Sequence, residues 1–86
     1  MDYNEVLSSL CALPGPSGFE GPVVQRAAEY MKRVLPEVSI DSMGNLLGVL
    51  RCGKEGAKKL LLDAHLDEIG FIVTGHEEGF LRFAPL

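Results

Sequence analysis

The repeat of apolar residues changes at Pro36. Before it, Val6, Leu7, Leu10 and Cys11, and then Val24, Ala28, Met31 and Leu35, recur three or four positions apart, the spacing that lines up one face of a helix. After it, Val38 and Ile40 alternate with polar neighbours, and Leu46 to Leu50, Ile69 to Thr74 and Phe80 to Phe83 read as strands. Two helices followed by mixed β-strands predict an α/β fold class.

The element ends carry their own signals. Asp2 followed by Glu5 resembles a capping box and predicts a first helix of two to three turns that stops at Pro14. Gly15, Pro16, Ser17 and Gly18 form a turn. The second helix has two possible starts: a capping box on Ser17 and Glu20, or Pro22 as the first helical residue after Gly21. Glu29, Lys32 and Arg33 point away from its apolar face, and Pro36 ends it. Met43 to Asn45 is a glycine-containing turn, and Arg51 to Lys59 a solvated connection. Leu60 to Leu62 reads as a continuous apolar strand covered by helices on both faces. Gly75 to Gly79 joins the last two strands, and the apolar run Leu81 to Leu86 ends without a polar tail, as a chain cut from something larger would.

With 86 residues, 47% of them apolar and 23% charged, the chain has room for one small core and is too hydrophobic for a disordered tail. Eight Lys and Arg against twelve Asp and Glu leave a net charge of -4. That balance supplies no basic stripe for nucleic acid. No apolar run approaches the roughly 18 residues of a membrane span. The start of the chain lacks the basic and apolar regions of a signal peptide, so a cytoplasmic location is expected. Cys11 and Cys52 belong to no CxxC or CxxH spacing and are expected to be reduced thiols in the core of a cytosolic protein, with a single disulfide in a secreted protein as the alternative.

The chemically suggestive segment is Asp63-Ala64-His65-Leu66-Asp67-Glu68. On a strand, Asp63, His65 and Asp67 share one face. Sites in α/β sheets form beyond the carboxyl ends of strands. A metal-bound imidazole normally gives its second N–H to a carboxylate, and Asp67 is spaced to receive it from His65. The bland alternative is a histidine and two acids on a solvated strand end. His76 reads as a solvated turn histidine, and Cys52 as a buried structural thiol with no base beside it. The glycines of the Gly15 to Gly18 turn could cradle an anion, but with no Lys or Arg following, a plain helix-entry turn is the better reading.

Three strings in register sharpen the picture: CALPGPSGFE around Leu13 to Glu20, DSMGNLLG at Asp41 to Gly48, and LLDAHLDEIGFIV at Leu61 to Val73. Together they resemble, in order and spacing, the N-terminal part of the glutamyl or tetrahedral aminopeptidases, dinuclear metallopeptidases often labelled endoglucanase or cellulase M. By that resemblance His65 matches the first metal ligand, and Asp67 the aspartate that orients it and supports catalysis. Glu68 completes the HxDE string without a role of its own, and Asp63 takes none. The resemblance implies an α/β sandwich over residues 1–70 and the start of an inserted β-barrel dimerisation domain over 71–86. It further implies two divalent ions, zinc or cobalt, a peptide substrate and a homo-oligomer. The remaining ligands and the general base would lie beyond Leu86, so the 86 residues alone are expected to be inactive, with at most one weakly bound metal. Two other functions compete: an endoglucanase-type glycoside hydrolase, which would need two carboxylates facing each other across a cleft, and a small non-catalytic α/β interaction domain.

Overall fold

A computed structural model describes residues 1–86. Helix α1 spans Tyr3–Cys11 and helix α2 spans Gly21–Lys32. Four strands follow: β1 (Glu37–Ile40), β2 (Leu46–Val49), β3 (Phe71–Glu77) and β4 (Phe80–Pro85).

Asp2 starts α1 as expected, because its carboxylate accepts from the N–H groups of Asn4 at 3.0 Å and Glu5 at 3.4 Å, donors that have no partner inside the helix. The helix ends at Cys11, three residues before Pro14. Of the two starts open to α2, the proline one is used. Pro22 lies in the first turn, where its missing N–H costs nothing, and Glu20 precedes the helix without a side-chain cap.

The core is one face of α2. Val23, Val24, Ala27 and Ala28 are buried, whereas Met31 and Leu35 are half-buried. Arg26 of α2 donates to the Ser9 hydroxyl of α1 at 2.5 Å and ties the helices together. On the other side, β1 and β2 form an antiparallel hairpin that packs against α2. Gly48 makes this approach possible, because a Cβ there would collide with the ends of Leu35 and Met31. The hairpin turn is held by Asp41, whose carboxylate accepts from Met43 N at 2.9 Å, Asn45 N at 2.8 Å and Asn45 Nδ2 at 3.0 Å. Gly44 supplies the positive φ of 87° that the turn needs.

Strands β3 and β4 form a second antiparallel hairpin, irregular between Val73 and Gly75. Its loop is Glu78 and Gly79, both with positive φ, the conformation of a two-residue turn matched to strand twist. Gly75, His76 and Glu77 are thus part of β3 and not of the connection, and His76 faces Leu81 across the ladder instead of standing in a turn. Phe71 and Phe83 meet edge to face with ring centroids 5.1 Å apart.

The chain is therefore of the α/β class, with two helices and two small antiparallel sheets. Leu60 to Leu62 do not form a strand. They lie in an irregular segment between β2 and β3 and are 85–87% exposed. Three leucines make a strand only when a partner offers a hydrogen-bonding edge, and neither hairpin extends to them. Both cysteines are free and exposed, so neither is a core thiol. The chain is drawn out: its radius of gyration is 17.6 Å, where a compact chain of this length would have about 12 Å. It makes 35 backbone–backbone hydrogen bonds, against about 60 for a closed domain of the same size.

Candidate functional site

The segment carrying His65 belongs to no helix or strand, so something else must hold it. Its C-terminal end is fastened to the turn between the helices. Glu68 N donates to Gly15 O at 2.9 Å, and Gly15 N donates to Glu68 Oε1 at 3.0 Å. Pro16 and Glu68 form the single parallel pairing in the molecule. Two glycines permit this approach. A Cβ on Gly15 would stand 2.9 Å from Val23 Cγ1 in α2, and one on Gly70 would strike the Pro16 ring.

Within this held segment His65 and Asp67 meet. His65 Nδ1 lies 2.8 Å from Asp67 Oδ1 and 3.1 Å from Asp67 O, two acceptors at once. An imidazole nitrogen between two acceptors carries the proton, which in the neutral ring leaves Nε2 as a bare lone pair. The His65 side chain is 86% exposed and that of Asp67 41%, so the lone pair faces outward. Beside the pair lies a mostly apolar hollow of about 230 Å³, walled by Leu7, Leu10, Leu13, Val23 and Leu66.

The two side chains meet as their spacing suggests, but at the end of an irregular segment and not on a strand face. Asp63 does not join them. No group of three or more His, Cys, Asp or Glu side chains converges anywhere in the chain. The residues fit a metal as one imidazole ligand with its orienting carboxylate, not as a complete coordination sphere. His76 stands on β3. Cys52 is exposed, with Lys54 N donating to its Sγ at 3.5 Å. The helix-entry turn is not an anion cradle, because Gly15 N is taken by Glu68, and Gly18 N by Glu20 Oε1 at 2.8 Å. The residue that sequence reasoning passed over is Glu68. Its partner is 53 positions away, a separation that no local pattern reveals.

The chain is thus an α/β chain that presents an exposed imidazole with a carboxylate beside its Nδ1. The family model described as M42 glutamyl aminopeptidase matches residues 44–86. A putative aminopeptidase of Acetivibrio thermocellus is 37% identical over 86 residues, covering 99% of this chain and 25% of that protein. The lysyl aminopeptidase of Pyrococcus furiosus is 32% identical, covering 95% of this chain and 23% of the relative. The glutamyl aminopeptidase of Lactococcus lactis subsp. cremoris is 30% identical, covering 100% and 24%. The chain belongs to the M42 glutamyl aminopeptidase family, and it spans about a quarter of the length of the curated relatives it matches. No solved structure matches it.

Proposed function

We propose that this chain supplies one metal ligand, His65, and its orienting carboxylate, Asp67, to a metal-dependent aminopeptidase that hydrolyses the N-terminal peptide bond of peptides. The observation that carries this reading is the 2.8 Å contact between His65 Nδ1 and Asp67 Oδ1, which leaves Nε2 free to donate its lone pair. Two divalent ions, zinc or cobalt, would supply Lewis acidity and a water acidified towards neutral pH. Asp67 holds the ring orientation and raises the basicity of Nε2, while Leu66 and the leucines of α1 keep one side of the pair against apolar surface.

Because no group of three or more potential ligands converges at His65, the 86 residues by themselves are proposed to be inactive towards peptides, with at most one weakly held ion. The proposed division places 1–70 in an α/β catalytic sandwich and 71–86 at the start of an inserted β-rich barrel that serves dimerisation. It is supported by the β3–β4 hairpin, which pairs only with itself and joins the rest at Gly70. The exposed Phe80, Leu81 and Phe83 and the open edges of that hairpin support self-association. No helix is long and apolar enough to cross a membrane. A cytoplasmic setting, which keeps Cys11 and Cys52 reduced, suits the reading.

Cobalt(II) titration of the native polypeptide that carries this chain, read by calorimetry, tests the assignment. His65→Ala should abolish binding at one site, and Asp67→Asn should weaken it about 10- to 100-fold. Hydrolysis of aminoacyl p-nitroanilides should fall in parallel and vanish with a chelator. Cobalt affinity unaffected by either substitution refutes the assignment.

A further inference from the structure

We infer that Glu68 is a positioning residue: its carboxylate and its amide together latch the His65–Asp67 segment onto the Gly15 turn and hold the imidazole where it can bind metal. The inference rests on the reading of His65 and Asp67 given above. Three observations carry it. First, the segment from Arg51 to Asp67 has no helix or strand to fix it, so its position depends on its ends. Second, Glu68 makes a reciprocal contact with one residue, accepting from Gly15 N at 3.0 Å through its side chain and donating to Gly15 O at 2.9 Å through its backbone. Third, Gly15 is buried against Val23 of the α2 core, so the latch fastens the segment to the best-packed part of the molecule.

The adjacent acids divide the labour. Asp67 turns its carboxylate towards His65, and Glu68 turns its own towards the Gly15 turn. A charged acceptor on an N–H bonds more strongly than a neutral one, and it needs no second donor here. Removing the carboxylate leaves Gly15 N without its partner and leaves the segment held by one backbone bond.

The test uses the native polypeptide with Glu68→Ala, Glu68→Gln and, as a control for general loss of stability, Val24→Ala. Amide hydrogen exchange across residues 13–20 and cobalt(II) affinity are both measured. In Glu68→Ala, exchange at the Gly15 turn should rise about tenfold and cobalt affinity should fall about tenfold. Glu68→Gln keeps an acceptor oxygen and should restore both to within about threefold. Val24→Ala should lower the unfolding midpoint without selectively raising exchange at Gly15 or lowering cobalt affinity. Unchanged exchange in Glu68→Ala overturns the latch, and raised exchange with unchanged cobalt affinity overturns its positioning role. Should His65→Ala leave cobalt affinity intact, the metal-ligand reading fails instead, while the exchange result still reports on the latch itself.

Discussion

Replacing Gly70 with alanine introduces one methyl group at a place that cannot receive it. The new Cβ would overlap the Cβ of Pro16 and lie 3.4 Å from its Cγ and 3.5 Å from its Cα. A proline ring has no rotamer to swing away, so either the overlap is tolerated as strain or the Pro16–Glu68 pairing opens. Overpacking of this kind costs about 1–3 kcal/mol. Opening the pairing loses an amide–carbonyl bond and a carboxylate–amide bond, together about 2–4 kcal/mol before allowing for their partial exposure. The cheaper response sets the result, giving about 2 kcal/mol against the closed latch, or roughly a thirtyfold shift in the opening equilibrium. Amide exchange at Gly15 and Glu68, followed by NMR, should accelerate by that factor. Gly21→Ala is the matched control: nothing lies within 4 Å of its added Cβ, and it should leave both amides unchanged. Identical exchange in Gly70→Ala and the parent chain would refute the geometry of the latch.

Other consequences follow from single contacts. Asp2→Ala removes the acceptor for Asn4 N and Glu5 N and should cost α1 about 1 kcal/mol, seen as lost helical circular dichroism. Ala28→Leu forces extra methylene groups into the tightest part of the core, where Ala28 is 2% exposed, and should cost about 1–3 kcal/mol in denaturant unfolding. Asp41 is held below its ordinary carboxylate value, first by the Asn45 side chain, then by the Asn45 backbone N–H and, less, by the N–H groups of Met43 and Gly44, against an opposing desolvation. A depressed pKa means that the turn is stabilised at neutral pH and that this contribution is lost as pH falls below about 4. The Gly44 amide shift should follow that titration, and Asp41→Ala should abolish it.

Much of this architecture was legible because its causes are local. The Asp2 cap, the apolar face of α2, the Gly44 turn and the spacing of His65 and Asp67 each depend on residues within one or two turns of chain. The misreadings share an opposite origin. Leu60 to Leu62 look like a buried strand by hydrophobicity, yet a strand is a relation between two segments, and these leucines have no partner edge in either hairpin. Gly75 looks like the start of a turn, but the glycine serves an irregularity in the β3–β4 ladder, and the turn sits three residues later at Glu78 and Gly79. Residue type places the cysteines inside, but the small core on α2 does not reach Cys11 or Cys52. The Glu68 contact is invisible in the sequence because it exists only once residues 53 positions apart have met.

That long separation also bears on the order in which the molecule assembles. Closing a flexible loop of about 53 residues costs roughly 3.5 kcal/mol in chain entropy, which offsets most or all of the about 2–4 kcal/mol that the two hydrogen bonds contribute. The Gly15–Glu68 contact is therefore a poor nucleus. Once α2 and the β1–β2 hairpin have formed from near neighbours, most of the intervening chain is already folded back, and the remaining gap is cheap to close. In a refolding experiment with pulsed exchange, protection should appear in α2 first and at Gly15 last. The chain would then build its scaffold with His65 still swinging free and bring the imidazole to its station only in the final step.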